Sequence, residues 1–290
     1  MLQETAILAK LLPQLPGGAD VLVGPGDDCA VVSLGGNSLL LAADSVTEMI
    51  HFVPDTAPEA AGAKLMNRNL SDIAAMGGEP KWALLSVLAN GKTPDYVVKF
   101  CRGAASAGEK FGVPVVGGDV SGLPQTGFSA SLTIIGVLPP DSHPILRSTA
   151  KVGELLYVTG VIGNSFGSGH HLDFTPRLAE SRLIRQFAGA MLDVSDGLLL
   201  DARRLAASSQ VDLELDLNAV PLRSGATAPG AFADGEDYEL LFTAFPGWEN
   251  TYPAQLAPIT CIGRVVPGTG RLRDTAGNLL NWQGKYGYEH

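Results

Sequence analysis

Short apolar segments closed by turn residues recur along this chain, and they come in two lengths. Residues 38–43 (SLLLAA), 82–88, 113–116 and 129–138 have strand length and strand composition. Residues 57–76 and 95–110 have helix length. Gly77-Gly78 closes the first of these, and Pro94 and Gly112 bracket the second. The 82–88 segment reads as a buried strand, and Asp44 directly follows the 38–43 strand. Ahead of these, Ile7, Leu8, Leu11 and Leu12 have the spacing of an amphipathic helix.

Residues 139–144 (PPDSHP) hold three prolines in six positions and read as a linker. Beyond it the mixture resumes. Strands are expected at 155–159, 191–194 and 240–245, a Gly/Ser-rich loop at 160–169, and a helix at 197–208 capped by Ser195 or Asp196. Strands and helices mix on both sides of the linker. The expected fold class is therefore α+β in two α/β-sandwich-like domains, spanning 1–140 and 150–290. A chain of 290 residues with 46% hydrophobic and 17% charged residues suits that size and a real core.

Several function classes drop out. A formal net charge of −10 argues against a nucleic-acid surface. No apolar run is long enough to cross a bilayer, and Glu4 and Lys10 break the apolar residues of the N-terminus, which does not read as a signal peptide. Cys29, Cys101 and Cys261 are odd in number and far apart, which fits a reducing cytoplasmic setting better than a disulfide framework or a zinc site. The P-loop GxxxxGK[ST], the Rossmann GxGxxG and the protein-kinase signatures are all missing; the loop 160–169 has four glycines but the wrong spacing and no lysine.

Acids recur at the ends of apolar elements in both halves: Asp27-Asp28 after Gly26, Asp44, Asp72 in NLSDIAAMG, Asp119 after Gly117-Gly118, and Asp193 and Asp196 around Ser195. Each taken singly is explained as a turn former or a cap. Asp72 is harder to explain that way, since it sits in a mostly apolar helix and a buried carboxylate without a partner is costly. If several of these acids converge, they repel unless cations lie among them. Magnesium suits such a set, because it takes hard oxygen ligands and completes its shell with water and phosphate.

Seven segments in order carry a resemblance: GDDCAVV (26–32), the AADSV to HF stretch (42–52), NLSDIAAMG (69–77), VGGDV (116–120), LYVTG (156–160), LDVSDGLLLD (192–201) and GEDYELLFT (235–243). Together they resemble the thiamine-monophosphate kinase family, which shares a superfamily with aminoimidazole-ribonucleotide synthetase, selenophosphate synthetase and a hydrogenase-maturation protein. The resemblance covers nearly the whole chain. It implies transfer of the γ-phosphoryl group of ATP to thiamine monophosphate with several Mg2+ ions. It also implies an N-terminal domain that binds ATP and metal and forms a homodimer, and a C-terminal domain that completes the active site.

Carried over residue by residue, the resemblance makes Asp28, Asp44, Asp72, Asp119, Asp193 and Asp196 metal ligands, with Asp44, Asp72, Asp119 and Asp196 at the reaction centre. Gly118, Asp119, Arg147 and Ser195 become ATP contacts, and His51, Glu236 and Tyr288 contacts to the acceptor. Ala42 and Ala43 stand where the family often has hydroxyl residues, so a metal contact there would use backbone carbonyls. No glycine precedes His51, and the 169–191 segment is short for the family.

The residues also admit plainer readings: Arg147 as a solvated linker arginine, His51 as a structural histidine beside Phe52, Glu236 as a turn acid, Tyr288 as a tail aromatic, and Cys29 as packing. Trp282 is a second aromatic able to stack on a cationic ring. A phosphate acceptor is already largely ionised at neutral pH, so the lack of an obvious Ser/His or Cys/His pair fits direct in-line attack. Two alternatives remain at this stage: another ATP-dependent enzyme of the superfamily, and a non-catalytic nucleotide-binding protein. No reactive cysteine stands in a glycine-rich N-terminus, as selenophosphate synthesis would want.

Overall fold

The computed structural model describes residues 4–280 and Gly287. Helix α1 (Glu4–Leu11) leads into the first sheet. Its strands are β1 (Val21–Val23), β2 (Ala30–Leu34), β3 (Asn37–Thr47), β4 (Glu79–Asn90), β5 (Val115–Gly122) and β6 (Gly127–Val137), ordered β1-β2-β3-β6-β4-β5. All neighbours run antiparallel except β4 and β5, which are joined by a crossover through helix α3 (Pro94–Glu109).

Helix α2 (Pro58–Ala75) starts with proline at its first position and ends where Gly77 takes φ 72°, a left-handed stop that suits glycine. It packs unusually close to α3. A Cβ on Gly62 would lie 2.0 Å from the Phe100 carbonyl oxygen, and one on Gly103 would lie 2.1 Å from that of Glu59. Only glycine fits at either place. Both helices cover one face of the sheet, onto which β6 directs Phe128, Ala130, Leu132 and Ile134.

The second sheet holds β7 (Leu155–Thr159), β8 (Ala188–Asp193), β9 (Asp212–Leu215), β10 (Leu240–Ala244), β11 (Ile259–Val266) and β12 (Leu272–Arg273), ordered β12-β9-β11-β7-β10-β8. Its central strands are apolar on both faces. Tyr157, Met191, Leu240 and Phe242 join the core of the first half, while Leu156, Val158, Leu192 and Leu241 pack with helix α7 (Leu198–Ser209). Short helices α4 (Ser165–Ser168), α5 (His170–Asp173) and α6 (Leu178–Ile184) follow β7, and α8 (Ala228–Ala233) precedes β10. The fold is α+β, with two sheets each flanked by helices.

Four expectations need correction. Asp44 does not follow its strand: β3 runs on to Thr47, so Asp44 is an interior residue paired with Leu132. The 82–88 strand is buried on one face only, since Ala83, Leu85 and Val87 are inside while Trp82, Leu84 and Leu88 are exposed. Asp119 likewise lies within β5 and not at its end. Neither Ser195 nor Asp196 caps α7. The relation is reversed, with both backbone N–H groups donating to Asp201 Oδ2 at 3.1 and 3.0 Å.

Candidate active site between the two sheets

Helix α2 faces the second sheet with Lys64, Arg68 and Asp72 at successive i, i+4 positions, beside Ser71. Asp72 meets two acids from distant parts of the chain: Asp28, just before β2, and Asp193, the last residue of β8. One carboxylate oxygen from each lies within 4.8 Å of the others. Ser71 Oγ donates to Asp193 Oδ2 at 2.6 Å, which locks α2 to β8.

This convergence is electrostatically costly. Burial, then the charges of Asp44, Asp193 and Asp28, push the Asp72 carboxyl well above its ordinary range. Burial and the Asp28 charge do the same to Asp193. Asp27 is raised to about 7 by burial and by Asp28, despite Arg147. Such groups must either hold protons or receive a cation. Their all-oxygen, all-carboxylate chemistry fits magnesium.

Cations frame the cluster. Arg147 is no free linker residue: its Nη2 lies 2.6 Å from Asp28 Oδ1, its Nε 3.3 Å from Asp28 Oδ2, and its backbone N–H donates to Asp27 Oδ2 at 3.1 Å. Arg204 bridges Asp196 and Asp201. Arg68 forks onto Asp44, with Nε and Nη2 at 3.2 and 3.3 Å, and its Nη1 donates to the Ser45 carbonyl at 3.0 Å. Cys29 is buried beneath the cluster and packs there, its thiol pushed up by burial and by Asp72.

A cleft of about 340 Å³ opens over these groups, lined by Asp27, Asp28, Ala43, Asp44, Asp72, Asp193 and Asp196 together with the three arginines, Ser195 and Tyr238. A second, smaller cavity of about 40 Å³ adjoins it. That cavity is lined by Ile50, His51, Phe166, Asp234 and Glu236, and shares Arg68, Ser195, Asp196 and Tyr238 with the cleft. His51 is held by Thr47, whose N–H donates to its Nδ1 at 2.9 Å. Lys64 Nζ donates to the His51 carbonyl at 2.6 Å and pairs with Glu236. Burial lowers the Lys64 ammonium to about 8, against the pull of Glu236. Tyr238 stacks on Phe174 with centroids 4.0 Å apart.

The structure thus gathers Asp28, Asp44, Asp72, Asp193, Asp196, Arg147, Ser195, His51 and Glu236 around two joined cavities. It does not gather Asp119. That residue is exposed on edge strand β5, and its partner Ser86 points away from α2, unlike Leu132 opposite Asp44. Three strand spacings, about 14 Å, separate it from β3. Gly118 has a structural reason of its own: a Cβ there would lie 1.7 Å from the Leu85 carbonyl oxygen. Tyr288 and Trp282 lie outside the described residues. Sequence reasoning missed Lys64, Arg68, Ser71 and Phe166. The i, i+4 spacing on α2 was the available signal for the first two; nothing marked Phe166, an aromatic ring 49% exposed on the short helix α4, which forms inside the segment 160–169 expected as a loop.

Residues 26–138 match the family described as AIR synthase related protein, N-terminal domain. The thiamine-monophosphate kinase of Haemophilus influenzae is 30% identical across 91% of this chain and 90% of its own length. The chain belongs to the thiamine-monophosphate kinase family. The thiamine-monophosphate kinase of Aquifex aeolicus is 33% identical over 84% of this chain and 87% of its own length. A solved structure of AaThiL complexed with AMPPCP and TMP superimposes with a TM-score of 0.82 at 29% identity, covering 99% of this chain and 96% of that one. The hydrogenase maturation protein HypE in complex with ATP shares the fold, with a TM-score of 0.69 at 16% identity over 96% of this chain and 95% of its own.

Proposed function

We propose that this chain transfers the γ-phosphoryl group of ATP to thiamine monophosphate, giving thiamine diphosphate and ADP, in a magnesium-dependent reaction. The observation that carries this reading is the pair of joined cavities, one acid-lined and one framed by His51, Glu236 and Phe166. Relatives named for this activity, and a family structure complexed with AMPPCP and TMP, support it.

Asp28, Asp72 and Asp193 would hold Mg2+, with Asp44 and Asp196 at the margins of the same cleft. The metal supplies charge neutralisation for phosphate oxygens. Arg147 and Ser195, which line the larger cleft, would meet the ATP tail, and His51, which lines the smaller cavity, the acceptor phosphate. Glu236, paired with Lys64 on the wall of the smaller cavity, would offer its carboxylate to the cationic ring of the acceptor. An oxygen of the acceptor phosphate attacks the γ-phosphorus in line; the new P–O bond forms as the bond to the β–γ bridging oxygen breaks, and ADP departs with that electron pair. No protein nucleophile takes part, so labelled ATP without acceptor should leave the protein unlabelled.

Residues 1–140 then serve as the ATP, metal and dimerisation domain, and residues 150–290 complete the site. The outward face of β4, with Trp82 46% exposed beside Leu84 and Leu88, supports a homodimer through the first sheet. Asp119 lies on that outward face, so its metal contact, and that of Gly118 with nucleotide, would serve a site shared with the second copy. Among the described residues no helix is long and apolar enough to cross a membrane, in keeping with a cytoplasmic enzyme. The direct test is ATP-dependent conversion of thiamine monophosphate to the diphosphate by purified protein with magnesium. Absence of turnover in folded protein, with aminoimidazole precursors or selenide accepted instead, would overturn the reading.

A further inference from the structure

We propose that Arg68 is a phosphate-binding residue at the seam of the two cavities, exchanging the Asp44 carboxylate for phosphoryl oxygens when both substrates are in place. This rests on the proposed phosphotransfer. Among the described residues, Arg68 is the one cation that lines both cavities; Arg147 and Arg204 line the larger alone. In phosphotransfer between two phosphate esters, two polyanions meet at one point, and that point is the seam. A guanidinium there is always charged, and its planar fork matches two phosphate oxygens at once.

Its present bonds suit an exchange. Both arms of the fork on Asp44 are long, at 3.2 and 3.3 Å, whereas the Arg147 fork on Asp28 has one short arm, at 2.6 Å beside 3.3 Å. The Asp44 side chain is 28% exposed, so water or a cation can replace the arginine there. The third contact, from Nη1 to the Ser45 carbonyl, anchors the group at the seam while the other nitrogens turn. Arg68 also sits one helical turn from Asp72, so it shares a rigid mount with the acid cluster. Its consequence is selectivity: an acceptor bearing a phosphate gains a partner that the same molecule without phosphate does not.

The test uses the full chain with Arg68→Met and Arg68→Lys, each checked for folding by thermal melt. Calorimetry with pyrophosphate and magnesium should show about tenfold weaker binding for Arg68→Met. Arg68→Lys, which keeps the charge and loses the fork, should fall between. The preference for thiamine monophosphate over thiamine, measured as a ratio of Kd values, should shrink by a similar factor; a merely structural role would weaken both ligands alike. Unchanged pyrophosphate affinity and an unchanged ratio would overturn the proposal. If the wild-type protein fails to phosphorylate thiamine monophosphate, the functional reading fails, yet the pyrophosphate comparison still decides the role of Arg68. Should Arg68→Met not fold, Arg68→Lys decides through the same two readouts.

Discussion

Carboxylates are buried in two regions of this molecule, and they are treated in opposite ways. Away from the cleft, Glu239, just before β10, and Asp212, in β9, are fully partnered. Glu239 receives the fork of Arg177 at 2.6 and 2.5 Å and the Thr159 hydroxyl at 2.7 Å. Asp212 accepts from the Thr269 and Arg271 N–H groups at 2.8 and 3.0 Å and from Arg273 Nε at 2.7 Å. Burial works against the charge of Asp212, but those hydrogen bonds hold it below the ordinary carboxylate range. Between the sheets, no hydrogen bond from a described residue reaches the Asp72 carboxylate, and its nearest charged company is other acids. The first set is finished as it stands. The second is left short of positive charge, on the walls of a cleft, and that is what separates a binding site from a framework.

The comparison breaks if the two sets respond alike to mutation. The largest effect is expected in the cleft. Asp72→Asn and Asp193→Asn should each lower phosphotransfer by on the order of 10²–10³-fold or more, since each removes charge-stabilising machinery. The same changes should make the magnesium-free protein more stable, because each deletes one of several mutually repelling charges. Removing magnesium from the wild type with a chelator should abolish turnover and lower its Tm. Thermal melts with and without the metal, beside product formation, check both parts; a variant that keeps the wild-type magnesium shift in Tm would sink the metal-site assignment.

Glu239→Gln should do the reverse. It leaves Arg177 with the more distant Glu180, at 3.8 Å, as its remaining carboxylate, so the cost should sit at the lower end of the about 3–5 kcal/mol of a buried pair broken from one side. The magnesium-induced shift in Tm should survive, since Glu239 does not line the cleft. Urea unfolding gives the first quantity and melts give the second. A loss of the magnesium response without loss of stability would erase the distinction drawn here.

The sequence made one side of this contrast legible and hid the other. Acids at element ends, in LDVSDG and NLSDIAAMG, marked the cleft, because an acid in a mostly apolar helix is harder to explain as a turn former or a cap. The two-part α+β architecture was also readable, from strand-length and helix-length segments on either side of 139–144. Which acids converge was not readable. Strand residues alternate between faces, and one residue of register decides the side. Asp44 and Asp119 look equivalent as acids after apolar residues, yet β3 turns one toward α2 and β5 turns the other away. The arginine partners were hidden for a similar reason: Arg147 reaches Asp28 across 119 positions of chain, and no local pattern encodes that contact.

The smallest expected effect falls on Asp237, which lies between the two extremes. Its Oδ1 accepts from the Gly163 N–H at 2.8 Å and the Ser165 hydroxyl at 2.6 Å, with Arg223 at 3.6 Å, but Oδ2 has no hydrogen-bond partner among the described residues. Glu239 adds a like charge nearby, and His170 binds only the Asp237 backbone carbonyl. Burial therefore wins and raises the carboxyl from 3.8 to about 6, against those hydrogen bonds and Arg223. Between these two values the native state holds a proton that the unfolded chain has released. Stability must then fall as pH rises from about 4 to about 6 and level off above, by about 2–3 kcal/mol from this group. Asp27 and Asp201, both raised to about 7 chiefly by burial, titrate near the same window, so the wild-type slope alone is not diagnostic. Asp237→Asn keeps an acceptor for Gly163 and Ser165 and cannot titrate. The difference in unfolding free energy between wild type and variant, measured in urea at pH 4.5, 5.5 and 6.5, should change in favour of the variant as pH rises. A difference that stays flat would place Asp237 with the fully partnered acids and remove the intermediate case.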